Sequence, residues 1–258
     1  MRIASWNVNS IRVRMPMVVS WVRRFAPDVL ALQETRCADA DFPHGELEAL
    51  GYEVVHHGDG PRNGVAIASR VGLESIEKGF RGPQRGAYRE ARLVGAVCAG
   101  IRIHSVYVPN GRALDDPHYL FKLVWLERLR GHVQLLGGDT PQIAVGDFNV
   151  APADIDIYDP VRWRHRTHAS PPEREAVAAL VDLGLRDVFR ERDPSPGLFT
   201  WWNYRSPLVE NRGMRIDLAL VDEVLAPRVT ATEVDRVERA TERPSDHAPI
   251  WLDVDPGR

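Results

Sequence analysis

The chain has 258 residues, 44% hydrophobic and 27% charged, with a formal net charge of -3. That supports one large core, or two halves sharing one, and excludes a molecule that is basic overall, although a local basic face fits within a balanced total. Two cysteines, Cys37 and Cys98, are too far apart for a metal-ligand spacing, no apolar run reaches bilayer length, and MRIASWNVNS has no signal-peptide core, so a cytoplasmic protein with reduced thiols is expected.

Residues 3–8 read as a strand. Met17, Val18, Trp21, Val22 and Phe25 then form one apolar stripe at helical spacing. Strands are predicted at residues 29–33, 52–56, 65–69, 93–97 and 101–108. A second helix is predicted at about 117–137, with Leu120, Leu123, Val124 and Leu126 on its apolar side. A strand at 143–146 precedes a third helix, which opens at Ser170-Pro-Pro-Glu173 as a capping box, continues through Val177, Leu180 and Val181 and stops at Gly184. Strands at 198–204, 216–221 and 248–254 complete the chain. Several of these strands are continuous apolar runs, which implies cover on both faces. No stretch reads as a linker, and the Pro- and Gly-rich pieces at 81–86 and 193–197 are loop-sized. Two packed sheets with helices outside satisfy this order in one domain, 1–258.

The strand ends carry the chemistry. IASWN ends on Asn7 and VLALQE on Glu34. HSVYVPN brings Tyr107 and Asn110, IAVGDFN brings Asp147 and Asn149, RIDLAL holds Asp217, and SDHAPIW sets Asp246 and His247 before the last strand. Any one of these residues alone reads more simply as a turn former or a solvated polar group. Strands packed side by side, however, bring their ends to one rim, and burying several charges there costs several kcal/mol apiece unless they are paired or bind metal. Carboxylates without thiolates suit a hard cation such as Mg2+ or Mn2+. Metal-assisted hydrolysis of a phosphodiester is the reaction class that uses every member of the set.

WNVNSIR, LQET, GVAIASR, YVPNG, GDFNVAP, NRGMRIDLAL and PSDHAPIW, in this order, resemble the exonuclease III family of AP endonucleases, within the endonuclease/exonuclease/phosphatase superfamily. The resemblance spans residue 2 to about 252. It implies an α+β fold like deoxyribonuclease I, a four-layer α/β/β/α sandwich. It also implies Mg2+-dependent incision 5′ to abasic sites in double-stranded DNA, with 3′→5′ exonuclease and 3′-phosphatase trimming of blocked ends. By the same resemblance Glu34 is the metal ligand with Asn7 close by and Asp246 in support. Asp147 and Asn149 face the scissile phosphate and attacking water, Asp217 orients His247, and Tyr107 hydrogen-bonds a phosphate oxygen.

For DNA contact the candidates are Asn110, Arg112, Trp201, Arg205, Arg212 and Met214, with Arg215 a further arginine able to meet a phosphate. Of Trp201 and Trp202, one faces the core if the segment is a strand. Trp201 is expected to line the abasic pocket beside Phe199 or Leu218, and Met214 to probe the DNA helix. RWRHRTH, residues 162–168, suits a DNA flank but reads first as a solvated loop. His56 and His57 read as structural. Residues 81–90 and 149–170 match no motif of the family. Two rivals remain: a superfamily phosphatase acting on a non-DNA phosphoester, and a DNA-binding module without catalysis. A monomer is the default assembly.

Overall fold

The computed structural model describes residues 1–81, 90–138 and 140–255, so most of the unmatched segment 81–90 lies outside the described residues. The first half supplies β1 (Arg2–Asn7), α1 (Ile11–Phe25), β2 (Val29–Gln33), α2 (His44–Glu48), β3 (Glu53–His57), β4 (Val65–Ser69), β5 (Glu74–Lys78), β6 (Leu93–Cys98) and β7 (Ile101–Tyr107). Then follow α3 (Pro117–Leu136), β8 (Gln142–Asp147), α4 (Pro160–Trp163), α5 (Pro171–Val181), β9 (Leu185–Asp187) and α6 (Val188–Arg192). A short ribbon of β10 (Trp201–Trp202) and β11 (Gly213–Met214), then β12 (Asp217–Asp222), β13 (Val229–Val234) and β14 (Ile250–Val254), end the fold.

Two six-stranded sheets result, in the orders β13-β14-β1-β2-β4-β3 and β5-β6-β7-β8-β12-β9. Strand alternation divides the apolar residues into layers. Ile3, Ala31, Ile67, Ile103, Val145, Val221 and Leu252 meet between the sheets. Ala4, Trp6, Leu30 and Leu32 point the other way, onto Met15, Val18, Trp21 and Val22 of α1. On the far side Ala144, Leu218 and Leu220 pack under Trp125, Leu126 and Leu129 of α3 and Val177 and Leu180 of α5. This is the four-layer sandwich that the resemblance implies. Among the described residues no helix is long and apolar enough to cross a membrane.

Three edge strands, β5, β9 and β13, were not expected from sequence. Edge strands carry exposed polar residues, as ESIEK does in β5, and so lack an apolar signature. The strand expected at 198–204 shrinks to β10. The face of α3 is also rotated: Leu120 and Val124 are exposed, and Lys122 is buried with Trp125, Leu126 and Leu129. A charged residue counts as solvent-facing in any periodicity, so Lys122 hid the true stripe. His56 is structural as expected, and its partner is Asp39, with Nδ1 2.9 Å from Oδ1. Both cysteines are free and buried.

Register places the chemistry. Parallel β7 and β8 set Tyr107 beside Asp147, and antiparallel β12 sets Asp217 on the other side of Asp147. In the other sheet Asn7 pairs with Gln33, so Glu34 leaves β2 next to Asn7. β14 runs antiparallel to β1, which delivers the preceding His247 to the same rim. Gly146 makes the approach of β7 to β8 possible: its φ is +147°, and a Cβ there would lie 2.1 Å from the Val106 carbonyl oxygen. Gly146→Ala is therefore expected to destabilise the protein by at least about 2 kcal/mol in urea unfolding. A loss under about 0.5 kcal/mol would show that the strands have room to part.

Candidate active site

Asp147 is the centre of the rim. It is 1% exposed, and its carboxylate accepts hydrogen bonds from both sheets. The Asn7 amide donates to Asp147 Oδ2 at 2.9 Å and to Glu34 Oε1 at 2.9 Å, bridging the two carboxylates. Asn149 donates its N–H to Asp147 Oδ1 at 2.8 Å and its amide to Oδ2 at 3.1 Å. This hold requires the left-handed backbone that Asn149 adopts, φ +51°, and Glu34 (φ +52°) and His168 (φ +81°) share that conformation. Unusual backbone in three rim residues at once marks a site whose geometry is imposed by its surroundings.

On the other flank Asp217 Oδ2 sits 2.8 Å from His247 Nδ1, and His247 Nε2 faces Asp147 Oδ2 at 3.8 Å. Thr200 Oγ accepts from the Asp217 N–H at 3.0 Å and fixes that strand end. Burial disfavours a charged His247, but Asp217 and Asp147 outweigh it and raise its pKa to about 10. Burial, together with the charges of Asp217 and Glu34, pushes Asp147 up to about 7 against the pull of His247. Near neutrality the imidazole is thus a cation, and Asp147 is poised to exchange a proton. Burial, reinforced by the charges of Glu34 and Asp147, holds the Tyr107 pKa well above the usual phenol value and keeps it a neutral hydroxyl donor.

These groups open into a cavity of about 180 Å3, lined by Glu34, Tyr107, Asn110, Asp147, Asn149, Asp246 and His247. Its other wall is apolar: Trp163, Trp201, Met214 and Ile216. Asn7 and Asp217 stand behind the lining residues and act through them. Asp246 lines the cavity with its carboxylate already engaged, by the Asn9 amide at 2.9 Å and Trp201 Nε1 at 3.0 Å.

Glu34, Asp147 and His247 each place one ligand atom within 4.8 Å of the others. His247 as an imidazolium has no lone pair for a metal, which leaves the carboxylates of Glu34 and Asp147. Two carboxylates, one pushed up in pKa by burial and by its acidic neighbours, fit a hard divalent cation. Glu34 Oε2 is meanwhile paired with the Arg36 guanidinium, whose Nε lies 3.0 Å away.

The proposed DNA contacts divide. Trp202 is fully buried and Trp201 lines the cavity, as alternation requires. Its neighbours there are Trp163, Met214 and Ile216, whereas Phe199 packs with Trp202 and Leu218 lies under α3. Met214 is 2% exposed, so it forms a wall and cannot probe DNA; pairing with Trp201 in the ribbon turns it inward. Arg215 is withdrawn as well: it is 1% exposed, with Nε 2.6 Å from Asp156 and Nη2 2.8 Å from Asp187. Arg112 lines a cleft on one side of the cavity with Asn110, His165 and Arg166. Arg212 lines another beyond Trp163, with Arg162. Arg205 is exposed and lines neither.

Sequence reasoning missed Trp163 and His168, both inside the basic run 162–168. The apolar tryptophan within that run was the available signal. Thr167 and His168 are buried while Arg162, Arg164 and Arg166 face solvent, so the run is half wall and half flank. His168 Nε2 is 3.0 Å from Asn149 Oδ1 and 3.1 Å from the Asn110 amide. Burial and the charge of Lys122 lower its pKa to about 3, so it stays neutral.

Residues 4–247 match the model of the endonuclease/exonuclease/phosphatase family. The chain is 33% identical to exodeoxyribonuclease III of Haemophilus influenzae, over 98% of this chain and 99% of that protein. Among solved structures it superposes with a TM-score of 0.95 on the 3′ phosphatase NExo from Neisseria bound to product DNA hairpin, at 37% identity and 99% coverage of both chains. An AP endonuclease from Archaeoglobus fulgidus gives the same TM-score of 0.95 at 35% identity, again with 99% of each chain covered.

The raised His247 pKa has a sign that can be tested. A histidine whose native pKa lies above its unfolded value of about 6.5 contributes stability that is complete below that value. The contribution is lost as pH rises toward about 10. Asp217→Asn should lower the imidazole pKa, followed by 1H–15N NMR titration, and should flatten the fall in urea stability between those pH values. An imidazole that titrates unchanged in the variant would detach Asp217 from His247.

Proposed function

The chain belongs to the endonuclease/exonuclease/phosphatase family and is a DNA-repair nuclease of the exodeoxyribonuclease III type; we propose that it hydrolyses the DNA phosphodiester 5′ to abasic sites and trims 3′ phosphates and nucleotides, with Mg2+ or Mn2+ as cofactor. The observation that carries this reading is the convergence on Asp147. One carboxylate is tied to Glu34 through Asn7 and faced by the Asp217-held imidazolium, inside a cavity flanked by arginine-bearing clefts. Asn7, Glu34 and His247 come from one sheet and Tyr107, Asp147 and Asp217 from the other, so the whole chain acts as one catalytic domain. It works as a monomer in the cytoplasm, where its DNA substrate lies.

Glu34, with Asp147, would hold the cation, which when bound supplies Lewis-acid polarisation of the phosphoryl oxygen. His247, as an imidazolium, donates from Nε2 to a phosphate oxygen as negative charge builds there. Tyr107 donates to the same phosphate, and Asn149 holds Asp147 with its N–H and amide. Asp147, whose pKa is pushed up to about 7, either takes the proton of the attacking water or gives one to the leaving oxygen, the other proton exchanging with solvent. Trp163, Trp201 and Met214 give the apolar wall against which a base-less sugar or a terminal nucleotide packs. Asn110, Arg112 and Arg212 bind phosphates on either side, and Arg205 meets the backbone farther out. Asp246 acts through Asn9 and Trp201, which it fixes.

A gel comparing abasic, 3′-phosphate and intact duplexes, with and without EDTA, tests the function and separates the three activities. Cleavage that persists in EDTA, or a protein inert on all three, would overturn it. Asp147→Asn should reduce cleavage by at least about 100-fold while DNA affinity stays within about threefold. Glu34→Ala should raise the Mg2+ concentration for half-maximal rate by at least about 10-fold. An unshifted titration would remove Glu34 from the ligands.

A further inference from the structure

Lys122, one of only two lysines, is fully buried in α3 against Glu173 of α5, whose side chain is also fully buried. It does not line the cavity. Its ammonium does more than meet one carboxylate. Nζ donates to the Asn149 carbonyl at 2.7 Å, and the Asn110 carbonyl and Thr167 Oγ lie at 3.3 and 3.4 Å. Glu173 completes the knot: Oε1 accepts from Thr167 Oγ at 2.7 Å and the His168 N–H at 2.9 Å, and Oε2 from the Ser170 N–H at 3.0 Å. Three loops that follow β7, β8 and α4 are thereby gathered onto one charge pair.

The segments gathered are those that carry Asn110, Asn149 and His168, three polar side chains of one cavity wall. Gly111 allows the closure, since a Cβ there would meet Thr167 Oγ at 2.6 Å and Lys122 Cδ at 3.1 Å. A hydrophobic pair of equal volume could fill the same space without loss of stability. It could not take hold of backbone carbonyls in two loops while anchoring a third. An arginine fork in place of the compact ammonium has the wrong shape for acceptors converging from several directions.

We infer that Lys122 and Glu173 are positioning residues for the nuclease reaction: the buried pair sets Asn149, which holds Asp147, and with it Asn110 and His168, in the wall of the cavity. The inference rests on the proposed function for its kinetic consequence, but not for its structural one. Misplacing a reacting group by about 1 Å costs on the order of 100-fold in rate, whereas phosphate binding along the outer arginine clefts is unaffected. The loss should therefore appear in kcat and spare KM.

The test compares K122M and E173Q with the wild-type protein on a 3′-phosphate duplex, alongside circular dichroism, thermal melting and NMR of the His168 ring nitrogens, assigned by their absence in H168A. Expected are folded variants, with kcat lower by about 30- to 100-fold in K122M and about 10-fold in E173Q, KM within about threefold, and displaced His168 resonances. The inference is overturned if both variants retain kcat within about threefold, if KM rises as far as kcat falls, or if the His168 resonances stay in place. It is equally overturned if neither variant folds, which would make the pair a determinant of stability alone. Should the wild type cleave no DNA while the His168 resonances still move in K122M, the functional reading fails and the positioning role stands.

Discussion

A buried carboxylate must be held by donors or it does not stay charged, and the rim of this sandwich is organised by that requirement at Asp147. Desolvating an ion costs several kcal/mol unless hydrogen bonds and opposite charge compensate. Here the compensation comes from both sheets: the Asn7 amide from β1, the Asn149 N–H and amide from just after β8, and His247 from just before β14. Any slip of one sheet on the other would leave Asp147 buried with too few donors. The packing of the apolar layer between the sheets and the chemistry of the rim are therefore coupled. The compensation is also incomplete, since burial and the neighbouring carboxylates push the Asp147 pKa up to about 7, which leaves it able to exchange a proton near neutrality.

The two sheets contribute unequally to function. One brings Glu34 and Asn7 on paired parallel strands, which gives an acidic corner. The other aligns Tyr107, Asp147 and Asp217 across three neighbouring strands, in which a shift of one residue would turn each side chain to the opposite face. Gly146 and the left-handed turns at Glu34 and Asn149 fix where those strands end. Strand register thus does the work of a ruler, and the loops that follow need only be held against it.

Holding the loops falls to buried charge pairs. Arg215 links Asp156 to Asp187 and anchors the segment after β8 to the second sheet. Lys122 and Glu173 draw the loops after β7, β8 and α4 together. Residues 149–170, without a recognisable motif, are for that reason an ordered wall of the cavity, contributing Trp163 and His168. Neighbouring relatives include a 3′ phosphatase and an AP endonuclease on the same fold.

By itself the sequence determined the layered fold and the set of polar strand ends that meet at one rim. Continuous apolar strands can be covered only by packing on both faces, and carboxylates, amides and a histidine at strand ends can share one rim only if the strands run together. It did not determine the edge strands, the face of α3, or the places of Arg215, Met214, Trp163 and His168. A side chain's charge or polarity in one dimension says where it would rest alone. Lys122 and Arg215 lie inside because acidic partners 51 and 28 residues away offset their desolvation, and Met214 lies inside because a ribbon of two short strands turns it there. Such partners meet only when the chain has folded, so only the tertiary structure could decide which charges face water and which hold the site together.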